Sequence, residues 1–252
     1  MTALPLTRSS GAARDELRAL RRITQMLSSA PATSVCLLTL TATTVVLSIS
    51  SAQSDNQLLL AVSTNLYQLA HDPIRVLIAS AFWTSGWWDL ALTTTLFATI
   101  LAPVERRLGW RRTTITFAAG HLGATLIVAG GLWIGIQLGG TPADVLTRDV
   151  GTSYGFFAVA AVAAYLLAPR SRIRYLALTI GYVVTKAALF HTFTDFGHLT
   201  AVAIGLACYP LVRSQTALEP WRAGTTHNGA GTPPVAARSN GGERGMRASE
   251  EP

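Results

Sequence analysis

Two cysteines in 252 residues give a fold little to be stapled by. Cys36 and Cys208 both lie inside apolar runs, and neither belongs to a Cys-x-x-Cys or Cys/His spacing, so neither a disulfide framework nor a zinc site organises this chain. Charge is equally scarce. Only 13% of residues are Asp, Glu, Lys or Arg, against 50% hydrophobic residues and a mean hydropathy of +0.37. That balance excludes an ordinary soluble domain and predicts an integral membrane protein of helical spans. The formal net charge of +7 would point to nucleic acid in a soluble chain. Here most arginines sit in short stretches between apolar runs, where charge reads as a topology signal, so the expected surroundings are a lipid bilayer and not nucleic acid. No cofactor or metal is expected.

What the chain has in quantity is apolar runs. The first, Thr33 to Ile49, follows a basic segment and resembles a secretory signal. Some thirty residues precede it, and "SSAQSDNQLLL" after it makes no clear cleavage site, so it is read as a retained anchor. Further crossings are predicted at Trp88 to Ala102, Thr114 to Leu138, Tyr154 to Ala168, Tyr175 to Phe190 and Phe196 to Val212, six in all. The fourth is short unless Gly151 to Ser153 belong to it. Val76 to Trp87 is too interrupted to cross and reads as a surface hairpin or membrane-dipping loop, anchored by Trp83, Trp87 and Trp88.

Three parts follow: an amphipathic cytoplasmic segment at 1–32, a six-span all-α membrane domain at 33–213, and a tail at 214–252. The first contains "RDELRALRRITQML", with Leu17, Leu20, Ile23, Met26 and Leu27 at helical spacing. The tail is rich in Gly, Pro, Ser and Thr, too polar to bury a core, and is expected to be disordered and cytoplasmic. Arginines orient the bundle. Arg8, Arg14, Arg18, Arg21 and Arg22 precede the first span, Arg106, Arg107, Arg111 and Arg112 join the second to the third, and Arg170, Arg172 and Arg174 join the fourth to the fifth. The other connections hold only Arg75 and Arg148, accompanied by Asp55, Asp72, Asp144 and Asp149. The positive-inside rule places both termini in the cytoplasm of a multi-pass cell-membrane protein.

In that orientation Asp89, Thr93, Asp149, Ser153, Asp195 and His198 gather near the outer side. Ionisable groups in spans are expensive and mark functional positions by default. Ser in a span is also an ordinary packing residue, and Asp149 and Asp195 fit helix caps. His121, in "FAAGHLGATLIV", reads as packing or a hydrogen bond to a nearby carbonyl, and Lys186 as snorkelling outward or meeting an acid such as Asp149.

From Ile74 to about Pro210 these residues resemble the rhomboid family of intramembrane serine proteases. The resemblance is carried by "IRVLIASAFWTSGWWDLAL" leading to the second span, by "ERRLG" (Glu105 to Gly109) at its inner end, by Gly151-Thr152-Ser153 opening the fourth span, and by His198 with Ala201 and Gly205 opening the sixth. It implies a Ser153–His198 dyad, hydroxyl and ring nitrogen about 2.6–3.5 Å apart. Ala201 and Gly205, with Gly151 and Ala158, would allow close helix approach. Two departures accompany it. Tyr154 stands where the family has glycine, and the family's second-span His and Asn, thought to hold the oxyanion, fall on Asp89 and Thr93. Three functions therefore stand open: an intramembrane endopeptidase cleaving single-span membrane clients, a non-catalytic protein that binds such clients, and a small transporter. Against the last, there is no internal repeat and no polar chain continuing to the inner side.

Overall fold

The computed structural model describes residues 25, 28–139 and 149–216, and among these the chain is helical with no strand. In lipid every backbone polar group needs a partner inside its own segment, which a helix supplies. Among the described residues five helical stretches are long and apolar enough to cross a membrane: Pro31–Ile49, Trp87–Leu108, Trp110–Gln137, Pro169–Phe190 and Phe193–Arg213. The chain is a polytopic helical bundle. The expected helix at residues 14–27 lies outside the described residues except for Gln25, as do residues 140–148, with Asp144 and Arg148, and the tail from 217 onward.

α1 (Pro31–Ile49) opens on a proline at its first turn, where the missing N–H is no loss. The polar stretch after it is not a loop but three short helices, each started by its own cap. Ser51 accepts from the Ser54 N–H ahead of α2 (Ala52–Val62), Asn65 from Gln68 ahead of α3 (Leu66–His71), and Asp72 from Arg75 ahead of α4 (Pro73–Ala79). A tight turn, Ser80–Phe82, follows. Val76, Ser80, Ala81 and Thr84 are buried, and Thr84 shares a 2.6 Å hydroxyl pair with Thr44 of α1. Trp87 and Trp88 are exposed, as interfacial anchors should be, whereas Trp83 turns to line an internal cavity.

The second crossing is α5 (Trp87–Leu96), a π-turn at Phe97–Leu101 and α6 (Ala102–Leu108), which ends at Gly109 with φ 82°. There follow α7 (Trp110–Gln137), α8 (Ser153–Ala163, extended by a turn to Leu166), α9 (Pro169–Phe190), α10 (Phe193–Ala207) and α11 (Tyr209–Thr216). The stretches Trp87–Leu108, Trp110–Gln137, Pro169–Phe190 and Phe193–Arg213 outrun the spans expected at Trp88–Ala102, Thr114–Leu138, Tyr175–Phe190 and Phe196–Val212 at one or both ends. Hydropathy reports the apolar depth, while capping decides how far the helix continues beyond it.

Among the described residues, Ser153–Leu166 is an apolar helical stretch shorter than a bilayer crossing, as is Pro73–Phe82. α8 stands at the centre of the bundle. Tyr154, Gly155, Phe156 and residues 158–162 are all buried, packed by α7 on one side and α10 on another. A helix enclosed by protein need not match the lipid thickness, because its ends can be satisfied by neighbours. Arginines do so here. Arg172 donates to the carbonyls of Ala164, Tyr165 and Leu167, and Arg107 to that of Leu166. Two of the arginines that read as topology signals thus also close the C-terminal end of α8.

Small residues set the spacing around it. A Cβ on Gly205 of α10 would fall 2.2 Å from the Ala158 carbonyl oxygen, and one on Gly120 of α7 would fall 2.2 Å from the Ala158 Cβ. Ala158 and Ala201 are themselves fully buried. The backbones of α7, α8 and α10 meet through these positions, which is how helices associate where no hydrophobic force separates protein from solvent.

Candidate active site

Ser153 is the first residue of α8, and what precedes it fixes where its hydroxyl stands. Gly151 has φ 133°, a conformation that side chains rarely adopt, and a Cβ there would meet nothing within 4 Å. Its glycine is required by the backbone turn and not by helix packing, which corrects the expectation for that residue. The Gly151 N–H donates to the Ser80 carbonyl at 2.8 Å, so the turn after α4 holds the approach to the serine. No side chain caps the first turn of α8, which leaves its N–H groups beside the Ser153 hydroxyl without a capping acceptor.

His198 comes from α10, whose start is fixed by a capping box. The Thr192 hydroxyl accepts from the Asp195 N–H while the Asp195 carboxylate accepts from the Thr192 N–H and hydroxyl. Asp195 is therefore a cap, and one turn on, His198 faces α8. The His198 Nε2 and the Ser153 Oγ lie 2.9 Å apart, inside the range the dyad requires. Serine as donor to Nε2 fits the tautomer with the proton on Nδ1.

Two rings of α8 flank the imidazole. Phe157, one turn from Ser153 on the same face, has its ring centroid 4.7 Å away, and Tyr154 meets it edge-on at 5.5 Å. Phe157 was not among the sequence candidates, although its i+4 spacing from the serine was the available signal. Ser80 was also missed. Its hydroxyl and the Leu77 carbonyl both lie 3.1 Å from Nε2 of His121, which is buried. His121 thus bonds to a carbonyl, as one of its readings held, and fastens the turn after α4 to α7.

The pair opens into a cavity of about 740 Å³ between α5, α8 and α9. Asp89 and Thr93 of α5 line it with Ser153, His198 and Gly151, as do Trp83, Tyr175 and Lys186. Thr93 is buried. The Asp89 carboxylate accepts from the Ser85 N–H at 3.0 Å, so it holds the start of α5. Among the described residues Lys186 pairs with no carboxylate; its ammonium lies over the Phe190 ring, 4.7 Å from the centroid.

Asp149 does not cap α8. Its carboxylate accepts from the Thr64 hydroxyl at 3.2 Å and from the Tyr154 hydroxyl at 3.3 and 3.4 Å. Burial pushes this carboxyl up to about 6, opposed by those two hydrogen bonds. At the far end of the second crossing, Glu105 is almost completely buried, with both oxygens engaged. They accept from the N–H groups of Ala32 and Thr33, each at 2.8 Å, and from the Thr33 hydroxyl at 2.6 Å.

A serine hydroxyl and a histidine ring from two helices, meeting beside a cavity in a polytopic bundle, define the class: a helical membrane protein with a Ser–His pair on a cavity wall. The sequence profile of rhomboid-like proteins matches residues 25–218, and the chain belongs to that family. No curated protein and no solved structure matches it.

Proposed function

We propose that the chain is an intramembrane serine endopeptidase that cleaves single-span membrane proteins. The observation that carries this reading is the 2.9 Å approach of Ser153 Oγ to His198 Nε2 on the wall of the cavity. A serine hydroxyl becomes a useful nucleophile when a base takes its proton at that range. In the proposed course, Ser153 attacks the scissile carbonyl as His198 accepts the proton. His198 then protonates the leaving amine, and water activated by the same imidazole releases the acyl group. The Ser153 N–H, in the uncapped first turn of α8, and the Thr93 hydroxyl serve as donors to the oxyanion. Six crossings, with α8 as the fourth, put both termini in the cytoplasm of the cell membrane and the dyad toward the outer face.

A second reading is favoured by one feature. Asp89 places a carboxylate on the cavity wall near Thr93, where negative charge opposes a developing oxyanion. With such a wall the same cavity would hold a client span without cutting it.

Reaction with a fluorophosphonate separates the two. Purified protein in detergent or liposomes should be labelled at Ser153, Ser153→Ala should abolish labelling, and His198→Ala should slow it about 10²–10⁴-fold. Folded wild type that stays unlabelled would leave the binding reading in its place.

A further inference from the structure

Tyr154 follows the nucleophile directly, and a phenol there is costly to house. It is 2% exposed. Gly197, the residue before His198, exists as glycine to make room: a Cβ there would fall 2.4 Å from the Tyr154 ring. The ring so accommodated meets the His198 imidazole edge-on, with centroids 5.5 Å apart. Its hydroxyl is directed away from the imidazole, to both oxygens of the Asp149 carboxylate.

Asp149 is in turn pinned to the segment between α2 and α3. Its N–H donates to the Ser63 hydroxyl at 2.7 Å, and its carbonyl accepts from the Thr64 N–H at 3.0 Å. The Thr64 hydroxyl donates to both its carbonyl and its carboxylate. A continuous path therefore runs from Thr64 through Asp149 and Tyr154 to the face of His198.

We propose that Tyr154 is a positioning residue for His198 and that Asp149 acts through it. The ring limits the imidazole's swing away from Ser153, and the hydroxyl–carboxylate pair holds the tip of the ring in place. The proposal rests on the peptidase reading for its effect on rate, but the restraint on the imidazole exists with or without turnover. A phenol has only two side-chain torsions, and a hydrogen bond at its tip restrains the first of them, which sets where the ring lies. The net worth of such a bond, about 0.5–1.5 kcal/mol, corresponds to roughly a twofold to twelvefold change in rate.

The experiment uses the full chain, labelled with ¹⁵N-histidine, in detergent micelles. The His198 ring signals are assigned by their loss in His198→Ala. Tyr154→Phe and Asp149→Ala are each expected to slow fluorophosphonate reaction at Ser153 by about threefold to tenfold. The probe concentration for half-saturation should stay the same, and the His198 signals should shift or broaden in both variants. Because both substitutions break one bond, the double variant should be no slower than the slower single. Rates and ring signals equal to wild type in Tyr154→Phe would overturn the proposal, as would losses that multiply in the double variant. If wild type does not react, the peptidase reading fails by itself. The ring signals then decide: His198 signals displaced in Tyr154→Phe sustain the restraint, and unmoved signals overturn it.

Discussion

The Thr33 hydroxyl donates to the Glu105 carboxylate at 2.6 Å, and the N–H groups of Ala32 and Thr33 point at the same two oxygens. One side chain of the second crossing thus caps the first crossing's helix from 72 residues away. An anion at a helix N-terminus is stabilised by the orphan N–H groups and the helix dipole together.

Glu105→Ala should therefore destabilise the bundle by about 1–3 kcal/mol for each buried donor it strands. Glu105→Gln keeps one acceptor oxygen and should cost less. Thermal unfolding in detergent measures both, and equal melting of wild type and Glu105→Ala would sink this account of the residue.

Gly205 makes a different demand, that of space. A side chain at this position would collide with the Ala158 backbone, whose atoms cannot move as a rotamer does. Gly205→Val should cost at least the roughly 1–3 kcal/mol of an overpacked site. Since α10 carries His198, it should also widen the separation from Ser153. A loss of fluorophosphonate labelling greater than the loss of folded protein would separate the two effects.

Much of this was legible in the sequence because it depended on side chains at fixed spacing. The apolar runs give the crossings, and Ser153, His198, Ala201 and Gly205 fall on helices α8 and α10, facing one another. What stayed hidden depended on tertiary approach. Nothing in "GTSYG" says that Gly151 serves a backbone turn, that Ser80 holds its N–H, or that Tyr154 reaches Asp149. The three helices between Ser51 and Ala79 were hidden for another reason: they are polar, and their signal lies in the Ser51, Asn65 and Asp72 caps instead of in hydropathy.

Stability should depend on pH through Asp149. Its carboxyl titrates near 6 in the folded protein against an ordinary value of 3.8, so folding favours the protonated form. This contribution is complete below the unfolded value and is lost as pH rises through 6. Asp149→Asn should flatten the dependence and stabilise the protein at neutral pH by roughly 1–3 kcal/mol, measured as melting temperature between pH 4 and 8. Together with the slower labelling expected above for Asp149→Ala, it would make Asp149 a residue that trades stability for the placement of His198. Parallel pH profiles for the two proteins would refute the assignment.

Topology is testable without activity. Reporter fusions after Ser54, Arg107, Asp144, Arg172, Thr194 and Arg213 should alternate outside and inside, beginning outside. The informative pair is Arg172 and Thr194, which bracket α9. Were both on one side, α9 would not cross, and the dyad would lose the orientation proposed for it.

The sharpest prediction concerns Asp89. Its carboxylate lines the cavity with Thr93 and Ser153, while its bond to the Ser85 N–H shows a local duty in starting α5. Those two roles make opposite forecasts for Asp89→His. If the carboxylate opposes the oxyanion, replacing it by a donor should raise cleavage of a generic single-span substrate, up to the 10²–10³-fold that one oxyanion donor supplies. If its role is the cap alone, the substitution should lower melting by the equivalent of about 0.5–2 kcal/mol and leave cleavage no faster. Asp89→Asn distinguishes the charge from the bond, since its amide oxygen can still accept from Ser85 while the negative charge is gone. Faster cleavage in both variants would assign the inhibition to charge; faster cleavage in neither would remove Asp89 from the oxyanion site.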